Sequence, residues 1–311
     1  MTPAPGRAFA RGEAAGLAAM VVATVLWGAT FVVIRDALDD VPPLWLVGAR
    51  FLGAALVLGL VVVLARVRPD REALKGGAIS GALGAGAYVC QCIGLQSIHA
   101  GTSAFLTSAG SLAAAFLAWP LLGQRPGAGV VAGVTFAAAG TLLLSETPLG
   151  FGPGEQWTLA GSLLFGAQIV ALGRFAPRAH PLALAFVQTA AVAVLTLPGL
   201  LSSSPPALPP ATLLRVGYLM AAGSIVAPLL QIFAQGSLPP GRIGVLFTLE
   251  PMFAVAIAVA VGGELYAGRW WAGAALILLA VVTVETGALD RARSGNGGRA
   301  AQDPEERRLE P

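Results

Sequence analysis

The amino-acid sequence predicts an all-α integral membrane fold of ten transmembrane helices, arranged as two inverted five-helix repeats. Three observations carry this: the chain is too poor in charge for water, its apolar runs have the length of membrane spans, and its two halves align with each other. Of 311 residues, 56% are hydrophobic and 11% charged, with a mean hydropathy of +0.77, whereas a soluble domain carries roughly a quarter charged residues. The 40 glycines have no triplet period, which excludes a collagen-like chain, and so much apolar sequence excludes disorder. Small residues of this kind suit helices that approach closely in lipid. The net charge of +3 comes from residues scattered between apolar runs rather than gathered in a patch, so the lipid bilayer and not nucleic acid is the expected partner. Cys90 and Cys92 diverge on a helix, and two thiols without a histidine make a poor metal site. Neither a metal nor a cofactor is expected.

A spanning helix needs about 20 mostly apolar residues. Such runs lie near 15–35, 44–65, 76–98, 102–122 and 128–145, then near 157–174, 181–201, 213–235, 243–262 and 269–289. The connectors are short and punctuated by turn residues, as in Val41-Pro42-Pro43, Gly123-Gln124-Arg125-Pro126 and the proline-rich stretch 205–210. The first run exceeds a signal-peptide core in length and carries Trp27, so it is read as a retained helix. Basic residues alternate between the two sides in a ratio of 15 to 3, with Arg50 inside a span, and positive charge stays with the cytoplasm. Both termini are therefore expected to be cytoplasmic. The expected organisation is a cytoplasmic segment at 1–14, a first five-helix unit at 15–145, an external linker at 146–156, a second unit at 157–289, and a disordered cytoplasmic tail at 290–311.

An offset of 140 residues aligns the last three helices of the two units without gaps. Gln91 falls on Gln231, Ser97 on Ser237, Gly101 on Gly241 and Gly123 on Gly263. An offset of 138 aligns the earlier part, with Trp27-Gly28-Ala29 on Phe165-Gly166-Ala167, Pro43 on Pro181 and Arg50 on Gln188. Each unit has an odd number of spans, so the two enter the membrane in opposite senses, an arrangement that recurs in secondary transporters with the site near the midplane.

The motifs Trp27-Gly28-Ala29-Thr30-Phe31, Pro42-Pro43 followed by Arg50-Phe51, and Leu249-Glu250-Pro251 with Gly263-Glu264 resemble the EamA repeats of the drug/metabolite transporter superfamily. The resemblance covers nearly all of the chain between residues 15 and 289. It implies a ten-helix secondary carrier of a class that exports amino acids or other metabolites from bacteria. Two departures fall in the first half: Gly110-Ser111 stands where the pattern has a proline-bearing break, and Gly123-Gln124-Arg125 stands where it has Gly-Glu-Arg.

Ionisable groups inside spans are functional candidates because each costs about 2.5 kcal/mol or more to place there. Arg50 lies about 9 Å from the outer end of its span and Glu250 about 10 Å from the inner end of the ninth, at about 1.5 Å per residue. Two readings of Arg50 stand, a role inside the bundle facing the solute or a partner, and simple snorkelling to the interface. Pro251 removes a helical N–H and is expected to kink the helix. Glu250 beside it either binds a cation or exchanging proton, or hydrogen-bonds a neighbouring helix. Direct pairing of the two is not expected, since they sit in opposite leaflets.

Gln91, Gln168, Gln188 and Gln231 place amides at membrane depth on four helices, as helix-to-helix glue or as one polar cavity walled by Trp27 and Tyr88, with Thr30 of the same motif as Trp27 assigned to it. The predicted solute-binding set is thus Trp27, Thr30, Arg50, Tyr88 and the four glutamines, with Glu250 and Pro251 in coupling or gating. No phosphate loop of the Gly-x-x-x-x-Gly-Lys-Ser/Thr type is present, and a membrane-embedded enzyme would need a His, Asp or Glu cluster near one interface that this sequence lacks. A non-transporting sensor or assembly partner would need an attached interaction segment. The expected activity is therefore secondary-active carriage of a small-molecule solute, with proton coupling as an option.

Overall fold

A computed structural model describes residues 5–144, 152–202, 208–262 and 268–300, and every regular element among them is helical. The first half contains α1 (Pro5–Ala37), α2 (Pro43–Leu64), α3 (Arg71–Leu95), α4 (Ala100–Leu122) and α5 (Ala128–Leu144). The second contains α6 (Pro153–Phe175), α7 (Pro181–Ser202), α8 (Pro210–Tyr218), which runs through a π-helical segment, Leu219–Val226, into α9 (Ala227–Gln235), then α10 (Pro240–Phe247), α11 (Leu249–Gly262) and α12 (Gly268–Ala300).

Local chemistry sets these boundaries. Proline opens α2, α6, α8 and α10, where its fixed φ suits the first turn and its missing N–H has no helical partner to lose. The Asp70 carboxylate caps α3 by accepting from the Ala73 N–H at 2.7 Å. Gly123 closes α4 at φ 70°, its N–H donating to the Trp119 carbonyl at 2.9 Å, a left-handed cap that a side chain would strain.

The internal repeat is written in these bounds. Offset by 138, the 43–64 span of α2 becomes the 181–202 span of α7, and offset by 140, the 100–122 span of α4 becomes the 240–262 span of α10 and α11 together. Helix contacts obey the same exchange. The packing of α3 on α6 is matched by α1 on α9, that of α4 on α6 by α1 on α11, and that of α3 on α7 by α2 on the π segment, while α2·α7, α5·α12 and α4·α10 pair counterpart with counterpart. A pseudo-two-fold relation between the halves accounts for all of these at once.

Small residues make the contacts close. Gly77 and Gly81 seat α3 against Val187, Gln188 and Ala191 of α7, so this small-xxx-small stripe serves packing inside the bundle. Large apolar residues such as Leu56, Val63, Leu201 and Leu214 are exposed on the outside, the inverse of a soluble surface and suited to lipid tails. Each end of α1 is tied to the second half. At its C-terminal end Arg215 approaches Asp36 at 3.5 Å and Asp40 at 3.6 Å, and Thr212 donates to Asp40. At the opposite end Arg242 pairs with Glu13 at 3.1 Å and Ser237 Oγ donates to the Gly12 carbonyl at 3.3 Å.

Three expectations are adjusted. Among the described residues eight helices are long and apolar enough to cross a membrane, and α5 and α12 contribute the shorter apolar stretches Ala128–Gly140 and Trp271–Val284. Helix α1 begins at Pro5 rather than near residue 15, because Glu13 and Gly12 are held in it by their contacts with α10 and the turn before it. Helix α12 continues to Ala300, so residues 290–300, expected in a disordered tail, are helical, and helix formers from Ala288 carry it through Arg293. Residue 145 at the end of the first unit, 146–151 of the external linker, the Gly263-Glu264 motif and 301–311 of the tail lie outside the described residues.

Candidate functional site

Where the two halves meet lies a cavity with room for water-sized molecules of about 30 Å³, within about 510 Å³ of atom-free space that includes open solvent. Trp27 and Thr30 reach it from α1, Arg50 from α2, Tyr88 and Gln91 from α3, Gln168 from α6, Gln231 from α9 and Glu250 from α11. Seven of the eight residues expected to bind solute, and Glu250, therefore share one space.

Each wall has a local cause. The Trp27 indole donates to the Gly223 carbonyl at 3.1 Å and stacks on Phe247, with ring centroids 5.3 Å apart and planes at 21°. Gly223 lies in the π-helical segment that precedes Pro228. Proline has no N–H for the carbonyl four residues back, and the widened helix absorbs that defect while turning a backbone carbonyl toward α1. Thr30 donates to the Trp27 carbonyl at 2.7 Å, Gln91 to Thr107 Oγ1 at 3.4 Å, and Gln231 to Gln235 at 3.0 Å. The Gln235 amide in turn donates to the Ile169 carbonyl at 2.7 Å, which joins α9 to α6.

Arg50 is 2% exposed. Its guanidinium carbon stands 5.0 Å from the Phe51 ring centre and 4.9 Å from that of Tyr88, so two neighbouring rings lie within cation–π distance of it. Tyr88 also meets Phe51 at 4.8 Å and Phe165 edge-on at 5.0 Å. The Nε and Nη2 atoms of Arg50 have no hydrogen-bond partner and are shielded from solvent. Arg50 thus faces the bundle interior rather than snorkelling. It lines the same cavity as Glu250, and no ion pair joins the two.

The expected kink is a one-residue interruption at Thr248, whose backbone stays right-handed at φ −69° and ψ −10°. Helix α10 stops at Phe247, and the Thr248 N–H and hydroxyl both donate to the Val245 carbonyl, at 3.0 and 2.6 Å. Helix α11 restarts at Leu249, so Pro251 falls in a first turn, where proline is tolerated, and Glu250 sits at the positive end of a helix dipole. Gly28 of α1 lets this segment come close: a Cβ there would stand 3.0 Å from the Glu250 carbonyl oxygen and 2.9 Å from the Phe253 Cβ.

Two expected residues lie elsewhere. Pro251 shapes the break without lining the cavity. Gln188 is buried where α7 packs on α3; a Cβ on Gly77 would stand 2.9 Å from its backbone nitrogen, and its Oε1 has no partner. The amide is shorter than the arginine at the equivalent position and does not reach past that contact. Conversely, Thr107, Ser111, Phe165 and Phe247 line the cavity without being in the expected solute-binding set. Phe165 was legible as the repeat counterpart of Trp27, and Phe247 as that of Thr107. Nothing in the sequence marked Gly223 beyond the nearby Pro228. Among the described residues no three His, Cys, Asp or Glu side chains gather in a metal-binding group.

The model of the EamA-like transporter family matches the sequence twice, over residues 14–146 and 152–286. The first span, offset by 138 at its start and 140 at its end, reproduces the second. An uncharacterised transporter of Archaeoglobus fulgidus is 29% identical over 266 residues, covering 85% of this chain and 84% of that protein. The uncharacterised inner membrane transporter YedA of Escherichia coli is 26% identical over 272 residues, covering 85% and 88%. A solved crystal structure shares the fold, with a TM-score of 0.73 at 22% identity over 90% of this chain and 98% of the other.

Proposed function

The chain belongs to the EamA-like transporter family, and from that premise we propose that it is a secondary-active carrier that exports small metabolites, such as amino acids or related compounds, by alternating access. The family and the transporter relatives make it a multi-pass membrane transporter. The observation that carries the finer reading is the pairing of cavity residues across the repeat: Trp27 with Phe165, Thr30 with Gln168, Gln91 with Gln231 and Thr107 with Phe247 all line one space. A site on a pseudo-two-fold axis is accessible from either face when one half rocks against the other.

In this proposal α5 and α12 complete ten crossings, the two five-helix units (15–145 and 157–289) lie inverted, and both termini are cytoplasmic, in the cell membrane. Arg50, Tyr88, Trp27 and the amides contact the solute. Glu250 exchanges a proton, and the Thr248 break beside Pro251 lets α10 and α11 move separately. Counterflow in proteoliposomes tests the activity: saturable, protein-dependent exchange of a labelled metabolite is expected, and its absence across a broad panel defeats the carrier. Reporter tags at Asp70 and Pro206 should map to opposite faces of the membrane; finding both on one face defeats the inversion.

A further inference from the structure

Between α3 and α7 the outer surface of the bundle is indented. Gly77 and Gly81 draw α3 onto Val187, Gln188 and Ala191 of α7, and beside that line of contact runs an open furrow with about 400 Å³ of room for water-sized molecules. Ala78 forms one bank and Val187, Ala190, Ala191, Val194 and Leu195 the other, so the lining is wholly apolar. From Val187 to Leu195 it follows α7 for about 12 Å, at about 1.5 Å per residue. One end of the furrow lies at the connector from α2 to α3. There Val67 packs on the apolar cluster that joins Leu58 and Ala73 to Ala183 and Leu184, so the connector bridges the ends of α2, α3 and α7.

Charge gathers at this end. Arg66, Arg68, Arg71 and Lys75 are all exposed, and among the described residues none of them is ion-paired. Asp70 is occupied in accepting from the Ala73 N–H at 2.7 Å, and Glu72 points about 100° around α3 from Arg71. Arg71, Lys75 and Ala78 stand at i, i+4 and i+7, on one face of α3. Helical side chains lean toward the N-terminus, so both cations rise from the furrow toward the membrane surface. Retention of positive charge on one side of the membrane accounts for the sign of these residues but not for their grouping. Elsewhere Arg125 lies over Trp119 and Arg242 pairs with Glu13, and the repeat-related connector at 203–209 carries no charge.

We infer that this furrow binds an anionic phospholipid, its phosphate on Arg71 and Lys75, with Arg66 and Arg68 adding to the field, and one acyl chain laid along α7. A zwitterionic lipid offers the same chains without net charge, and free phosphate offers the charge without a chain; basic pockets between helices select acidic headgroups for this reason. The site is on the outside of the bundle and does not depend on the carrier reading.

The test uses the purified full-length protein in detergent, with dioleoyl phosphatidylglycerol, dioleoyl phosphatidylcholine and inorganic phosphate as probes. Phosphatidylglycerol should raise the melting temperature and saturate, while phosphatidylcholine and phosphate should not. Equal shifts with both lipids, a shift with phosphate alone, or none with phosphatidylglycerol overturn the inference on the unaltered protein, whether or not any variant folds. Arg71→Gln combined with Lys75→Gln should weaken phosphatidylglycerol binding about tenfold or more. Arg174→Gln combined with Arg178→Gln removes the same charge on the other side of α3, where Phe175 lies against Gly76, and should leave binding nearly unchanged. Equal losses in the two pairs assign the effect to overall charge and overturn the site. Ala78→Trp fills the furrow without touching the cations and should also weaken binding; a variant that is monodisperse on size exclusion and binds the lipid as before overturns the acyl seat.

Discussion

Helix α4 and the α10–α11 pair occupy equivalent places in the two halves and cover equivalent residues, yet one is continuous and the other is broken at Thr248. The sequences at the break explain the difference. Where the second half has Glu250-Pro251, the first has Gly110-Ser111. Ser111 keeps the backbone N–H that Pro251 lacks, and Gly110 packs directly on α6, so that a Cβ on it would fall on the Ser162 carbonyl. The partner contact repeats the theme, with Gly166 pressed on Gly110 in one half and Gly28 pressed on the Glu250 backbone in the other. Duplication built the walls of the cavity in matched pairs. Divergence then supplied what has no match: the acid Glu250, the cation Arg50 with Gln188 as its withdrawn counterpart, and Tyr88, whose counterpart is Pro228. The result is a chamber with matched walls and unmatched charge.

The strongest way to break this comparison is to force the halves to match. Gly110→Glu has no space at its Cβ and should cost about 3 kcal/mol or more, read as loss of folded protein on size exclusion and in thermal melts. A stable, monodisperse variant would mean that α4 and α6 are not in contact as described. Next in size, Glu250→Gln removes the one cavity acid while preserving shape and should abolish stimulation of exchange by an imposed pH gradient in proteoliposomes. Retained pH dependence takes Glu250 out of coupling. Pro251→Ala restores an N–H and makes the second half resemble the first; exchange should slow several-fold while thermal stability falls by no more than about 1 kcal/mol, because proline is tolerated in a first turn. Faster exchange would show that the break is not needed for movement.

The smallest effect belongs to the end of α1. Arg215, Asp36 and Asp40 are one third to one half exposed, so Arg215→Ala should change thermal stability by less than about 1 kcal/mol. A larger loss would mean that this end of α1 anchors the fold rather than merely closing it.

Much of this was legible beforehand. The bounds of α2 and α7 follow from Pro43 and Pro181, which open each helix, and the repeat offset carried Trp27 to Phe165 and Gln91 to Gln231 before any coordinates. Pro251 foretold the break beside Glu250. What stayed hidden was rotation about each helix axis. In a soluble helix an apolar stripe reveals the inward face. Here lipid and core are both apolar, so α3, α4 and α5 show almost no amphipathic contrast, and their inward faces are marked by small residues instead.

The sequence by itself therefore determined that the chain is helical, membrane-bound and duplicated, because length, hydropathy and turn residues act locally along the chain. Only the tertiary structure decided that Gln188 turns away while Phe247 and Gly223 face the cavity, and that Arg50 and Glu250 share a chamber without touching. Those facts depend on how closely glycines let particular helix pairs approach, a property of two surfaces in contact that neither helix carries alone.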